Sequence, residues 1–262
     1  MKKSVLLFLG LYLVSCGTVP LTGRKQLTAI PSSQMLSLST DSYQQVLKES
    51  DLSKNQEYVS RVKRVGERIS DAVEEYMKQN GLSDRIKGYQ WEYHVIKSEQ
   101  LNAWCMPGGK IAFYEGIMPV CKDDNGVAVV MAHEVAHAVA RHGNERMSQQ
   151  LAVQLGGIAL SEALEKQEEQ TQQLAMLAFG VGSQVGVMLP YSRIHESEAD
   201  ELGLYFMAMA GYDPRGATEF WKRMEKAGGS RPPEFLSTHP NPDTRITNLE
   251  KLMPKALKYY KE

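Results

Sequence analysis

Apolar residues at Val59, Val62, Val65, Ile69, Val73 and Tyr76 recur at steps of three and four, the spacing of a helix with one buried face. Trp91, Tyr93 and Val95 alternate with Glu92 and His94 and predict a strand. A second strand is expected at Lys110 to Tyr114, entered through Pro107, Gly108 and Gly109. Asp123, Asp124 and Asn125 are N-cap candidates for a helix from Val127 to about Arg141 that stops near Gly143. Residues 145–189 are helical in composition, Glu- and Gln-rich around 165–173, and read as a helical hairpin or a lid. Pro190 is expected to end this segment, and a further helix from about Ser192 to Ala210 closes at Gly211. Asp213 and Pro214 suit the start of a helix carrying Phe220 and Trp221. A Gly- and Pro-rich loop at 228–242 holds His239, and a final helical pair spans roughly Asp243 to Tyr260. The pattern shows no internal repeat and no hydrophobic span beyond the N-terminal one, and it predicts an α+β, mainly helical architecture.

That N-terminal span runs from Val5 to Val14, follows Lys2 and Lys3, and precedes Ser15, Cys16 and Gly17. It is too short for a comfortable permanent transmembrane helix and has the layout of an export signal. Leu13-Val-Ser-Cys16 resembles a bacterial lipobox, which implies cleavage before Cys16 and acylation of its thiol. The alternative is an ordinary secretory signal with a chance cysteine. With Gly17 after the cysteine, the resemblance implies lipid anchoring at the outer membrane, facing the periplasm.

Composition narrows the possibilities. Residues 1–15 are expected to be a signal peptide and 16–31, with Pro20, Gly23 and Pro31, a loose tether. Residues 32–262 are long enough for one domain with a sizeable core. Formal charge is −1, or −3 once Lys2 and Lys3 are removed, with both signs mixed along the chain, so no nucleic-acid surface is implied. Cys105 and Cys121 are the remaining thiols, and a disulfide and two free cysteines both stay open.

The chemistry concentrates at His133-Glu-Val-Ala-His137. Two imidazoles four residues apart leave one face of a helix, and can hold two corners of a zinc site while Glu134 reaches the attacking water. The bland alternative is an apolar helix whose histidines satisfy core hydrogen bonds. A catalytic zinc needs one more protein ligand, and His195, Glu196, Glu198 and Asp200 are candidates. At about 100° per residue, Glu196 and Asp200 share a face, Glu198 points nearly opposite and His195 lies to the side. Glu196 as ligand and Asp200 as acceptor for a ligand imidazole N–H form a self-consistent pair, against the alternative of a solvated acidic face.

These motifs, with Ser192-Arg-Ile-His-Glu-Ser-Glu-Ala-Asp200, Asn102-Ala103, Pro107-Gly-Gly109, Ala140-Arg-His142, Glu145-Arg146 and Ser237-Thr-His-Pro240 with Arg245, resemble a known family. The chain is similar, over roughly residues 17–250, to the gluzincin zinc metallopeptidases of the CAAX prenyl protease, HtpX, BepA and LoiP type, most of all to the short LoiP-like envelope lipoproteins. The resemblance implies a zincin-like domain with a small β-sheet packed on the active-site helix. It implies one Zn2+ per chain held by His133, His137 and Glu196, Glu134 as base, and Asp200 and Arg245 behind the ligands. His239 is implied near the metal, as oxyanion donor or as a cap on the resting zinc; without the family it reads as a surface loop residue. Trp104-Cys105 departs from the usual apolar filling before Pro-Gly-Gly.

The expected reaction is hydrolysis of peptide bonds in unfolded or damaged envelope proteins. Substrate is expected to lie along an exposed strand edge at Gly109, Lys110, Ile111, Ala112 and Phe113, with outer-membrane assembly machinery as a possible partner. The competing reading is a lipid-anchored chaperone or assembly factor whose zinc is mainly structural. A helical scaffold with an accidental motif is the third.

Overall fold

A computed structural model describes residues 16–227, 239 and 245–260. Strands β1 (Cys16–Thr18) and β2 (Lys25–Leu27) form an antiparallel hairpin, followed by helices α1 (Ser32–Glu49) and α2 (Gln56–Gln79). Asn55 caps α2 by accepting from the Glu57 and Tyr58 N–H groups, and the periodic Val62, Val65, Ile69, Val73 and Tyr76 are all buried. Next come β3 (Glu92–Ile96), β4 (Ala103–Met106) and β5 (Lys110–Tyr114), then a short helix α3 (Met118–Cys121) and the central α4 (Asp124–Val139). The remaining helices are α5 (His142–Ala163), α6 (Glu169–Ser183), α7 (Leu189–Met209), α8 (Gly216–Ala227) and α9 (Arg245–Ala256).

Helix α4 is buried on every side from Gly126 to Val139. The Asp123 carboxylate caps it by accepting from the Gly126 N–H at 2.9 Å. Its neighbours are α2, β4 and above all α7. Gly203 of α7 lets the two backbones approach: a Cβ there would stand 3.2 Å from the His133 nitrogen. A mainly helical domain with a small sheet against the motif helix is the architecture the sequence implied.

Four expectations need correction. The supposed tether folds: Val19 and Gln26 of the β1–β2 hairpin are buried against the body. Strand β5 is central in the order β3-β5-β4, parallel to β3 and antiparallel to β4, so the stretch from Lys110 to Phe113 has no free edge. Alternation reveals a strand but not its neighbours, and the four residues of β4 carry too little alternation to predict it. Pro190 does not end the preceding helix. It sits in the first turn of α7, and a wide turn at 184–188, in which the Leu189 N–H donates to the Gln184 carbonyl, joins α6 to α7 without a break. The joined helix Glu169–Met209 is long and apolar enough, by length and composition alone, to cross a membrane, a span the sequence pattern had not singled out. Finally, among the described residues 245–260 there is one helix, α9, with Pro254 inside it, in place of the expected terminal pair. Cys105 and Cys121 are free thiols. The expected loop at 228–242 lies outside the described residues except for His239.

Candidate metal centre

His133 and His137 leave α4 on one face, and Glu196 reaches them from α7. His133 Nε2 lies 3.1 Å from His137 Nε2 and 3.3 Å from Glu196 Oε2, and His137 Nε2 lies 3.4 Å from Glu196 Oε1. His239 adds its Nδ1, 3.3 Å from His133 Nε2 and 3.1 Å from Glu196 Oε1. A tetrahedral ion with ligands at roughly 2.0–2.1 Å sets them about 3.3 Å apart, so these spacings are the edges of a zinc-sized tetrahedron. With the Nδ1 protons of His133 and His137 given to Asp200 and His142, both Nε2 atoms are left as acceptors facing each other at 3.1 Å, an arrangement that a shared cation satisfies. The residues fit zinc, with borderline nitrogen donors and one carboxylate.

Each ligand is held from behind. His133 Nδ1 is 3.0 Å from Asp200 Oδ1, which fixes the tautomer with Nε2 facing the cluster. Asp200 in turn accepts from Arg245, whose guanidinium stacks 3.4 Å over the Trp221 ring. His137 Nδ1 is 2.9 Å from His142 Nδ1, and His142 Nε2 is 3.1 Å from Glu198 Oε2. With His137 Nε2 turned to the cluster, its Nδ1–H donates to His142 Nδ1, and the His142 Nε2–H donates to Glu198. Burial keeps His142 neutral, its pKa lowered to about 4, as this chain of donors requires.

Behind His142 lies a buried ionic network. Arg24 of the β1–β2 hairpin donates to both oxygens of Glu145 and both of Glu198, and His195 Nε2 meets Glu145 Oε2 at 2.9 Å. Burial opposes charge on both carboxylates, but their partners win: Arg24 and His195 hold Glu145, and His142, Arg24 and Thr22 hold Glu198, at about 2. Glu198 and His195 lie off the ligand face, as the helical angles require, and are buried against Arg24 and the start of α5. Glu196 is buried as well, so its face is not a solvated acidic one. The signal that could have found this network was the His142 and Glu145 spacing already noted within the family pattern.

The ionisable groups at the cluster pull in different directions. Burial would lower the His133 pKa, but Asp200 and Glu196 outweigh it and the net shift is upward. Burial lowers His137 far below the imidazole range. Glu196 overcomes burial through the surrounding histidines and stays well below the carboxylate range. Glu134 differs: burial raises it to about 7, and its Oε1 has no hydrogen-bond partner among the described residues. A buried carboxylate left with open acceptor capacity, 3.5 Å from His239 Nε2 and beside the cluster, is placed to take a proton.

The structure thus brings His133, Glu134, His137, Glu196 and His239 together, with Asp200 and Arg245 adjoining. It does not bring Gly109, Lys110, Ile111, Ala112 or Phe113 to a free edge, and Lys110 is committed to Glu92 and the Gln90 carbonyl. Strand β4 has β5 on one side and no ladder partner on the other among the described residues. Its Cys105, with Pro107, lines a cavity of about 220 Å³ that Glu134, His137 and His239 also line.

A family model for peptidase family M48 matches residues 63–253. The chain belongs to peptidase family M48. It is 33% identical to the mitochondrial metalloendopeptidase OMA1 of Schizosaccharomyces pombe over 246 residues, 91% of this chain and 66% of that protein. Against human OMA1 the identity is 31% over 261 residues, 97% of this chain and 49% of the relative. A putative beta-barrel assembly-enhancing protease of Vibrio cholerae is 32% identical over 161 residues, 60% of this chain and 33% of its own length. The chain therefore spans between a third and two thirds of the length of these curated relatives.

Proposed function

We propose that this protein is a zinc-dependent endopeptidase that cleaves unfolded or damaged proteins of the bacterial envelope. The observation that carries the reading is the buried Glu134 carboxylate beside a zinc-sized cluster of donors, its Oε1 without a hydrogen bond among the described residues, since a purely structural site has no use for a base. Bound zinc, held by His133, His137 and Glu196, supplies Lewis acidity at the scissile carbonyl. Glu134 takes a proton from the attacking water at its carboxylate and returns it to the leaving amine. The His133–Asp200 and His137–His142 pairs keep both imidazoles in the tautomer that presents Nε2. Substrate backbone pairs with the outer edge of β4, which gives grip with little sequence preference. His239 caps the resting cluster as a fourth donor and withdraws to admit water, because a catalytic site keeps one position open. Acylation at Cys16 anchors the protein to the outer membrane, and the name of the Vibrio relative supports work beside β-barrel assembly.

The same fourth donor favours the second reading, a chaperone or assembly factor with structural zinc, since four protein ligands make a closed site. One experiment separates them. Casein cleavage and zinc content are measured for the wild type, Glu134→Gln and His239→Ala, with and without chelator. The peptidase reading expects Glu134→Gln to keep stoichiometric zinc and lose cleavage by at least about a hundredfold, and His239→Ala to keep zinc. Full activity in Glu134→Gln would remove Glu134 from the mechanism. A wild type that holds zinc yet cleaves nothing, with zinc lost in His239→Ala, would favour the chaperone.

A further inference from the structure

The cations around the metal cluster fall into two groups. Arg24 and Arg245 are matched to buried carboxylates, the former to Glu145 and Glu198 and the latter to Asp200. Arg85, Lys87, Arg141 and Arg146 line the 220 Å³ cavity beside Glu134, and none of them has a carboxylate within 4.0 Å among the described residues. Against these four, the cavity wall carries two acidic residues, Glu134 and the exposed Asp84.

Two features indicate that this surplus is built. Arg85 is partly buried yet donates only to uncharged oxygens, those of Thr18, Gln26 and Val139, which hold its charge in place without cancelling it. Arg141 adopts a left-handed backbone at φ 61°, a conformation rare for a long side chain, and this bend starts the 22-residue helix α5 inside the cavity wall. Helix α5 begins with no side-chain cap, and its first residues His142, Gly143 and Asn144 line the same cavity. The first N–H groups of a helix have no intrahelical acceptor and carry the positive end of its dipole. Four residues with cationic side chains and an uncapped helix start therefore line one hollow, which Glu134 also lines. An anion satisfies both.

We propose that this cavity is a carboxylate subsite, so that the enzyme prefers substrates presenting an Asp or Glu side chain, or a free C-terminal carboxylate, on the side of the scissile bond that lies over the start of α5. This rests on the peptidase reading above and names the substrate chemistry of that same site. Partly exposed cations make such selectivity sensitive to salt.

The test uses the zinc-loaded full chain and four peptides identical except for one position or end: internal Glu or Gln, and free acid or amide at the C-terminus. The subsite predicts about tenfold higher kcat/KM for the Glu peptide than for its Gln twin if side chains are read, or for the free acid over the amide if chain ends are read. Arg146→Gln and Arg141→Asn, the latter tolerant of the left-handed backbone, should each shrink that ratio while the neutral peptide is cleaved as before. Equal rates for all four peptides would overturn the subsite and leave the peptidase reading standing. Binding of the same peptides to Glu134→Gln, followed by fluorescence anisotropy, gives a readout independent of turnover. Tighter binding of the acidic peptides with no cleavage by the wild type would retain the subsite and sink the peptidase reading. Equal affinity there would again overturn the subsite.

Discussion

Nδ1 of His142 lies 2.9 Å from Nδ1 of His137, and the same ring reaches Glu198 through its other nitrogen. A buried imidazole thus stands between a metal ligand and a carboxylate, where many proteins place the carboxylate directly. His142→Phe preserves the ring volume and removes the acceptor. It is expected to weaken zinc binding about ten- to a hundredfold, measured by competition with a chromogenic chelator. His94→Phe is the control, since His94 pairs with the Tyr43 hydroxyl away from the cluster and should leave zinc affinity unchanged. Equal affinity in His142→Phe and wild type would show that the relay does not orient the ligand.

Gly203 sets the distance between α4 and α7, and with it the distance from His133 to Glu196. An added Cβ meets main-chain atoms of Ala132 and His133 at 3.2–3.3 Å, which cannot swing aside as a side-chain tip could. Gly203→Ala is expected to cost about 1–3 kcal/mol despite the better helix propensity of alanine, and to weaken zinc binding as well. Thermal melts of the apo and zinc-loaded protein check both; a variant as stable as the wild type would mean that the helices slide apart freely.

Acid should unlock the ionic network. Glu145 is held at about 2 in the folded protein, against 4.5 as its ordinary value. A depressed carboxylate stabilises the fold above its unfolded pKa, and that contribution is lost as pH falls from about 4.5 towards 2. The full effect is on the order of 3 kcal/mol. His142, held neutral with a pKa of about 4, works in the same direction, because the unfolded imidazole takes up its proton first. Urea titrations of the chelated protein between pH 7 and 3 should show stability falling with acid. In Glu145→Gln that slope should flatten.

Much of the site was legible because it depends on helical angles. Residues 133, 134 and 137, then 196 and 200, fall on faces that a step of 100° per residue separates. What each face looks at is not local information. Glu198 was correctly turned away from the ligands, but its partners His142, Arg24 and Thr22 come from segments 56 to 176 residues away. Strand β5 was found with its bounds intact, Lys110–Tyr114, while its central position depends on β4, whose four residues Ala-Trp-Cys-Met offer almost no alternation. Pro190 misled because a proline in the first turn of a helix and one that ends a helix look alike in sequence.

Arg24 supplies the ionic part of the N-terminal hairpin's hold on the rest of the fold, beside the hydrogen bonds of Thr22 and Gln26. Arg24→Met would leave Glu145 and Glu198 buried with their charges half-matched. It is expected to destabilise the fold by about 3 kcal/mol or more, which equilibrium unfolding in urea would show. A loss below about 1 kcal/mol would mean that water replaces the guanidinium at little cost.

Strand β1 begins at Cys16 itself, paired with Leu27, with no slack chain between that residue and the folded body. An acyl group at Cys16 would therefore act as a rivet and not a leash. Were Cys16 so acylated, the folded body would ride flush on the bilayer, its reach limited to polypeptides that emerge within a molecular diameter of the lipid surface.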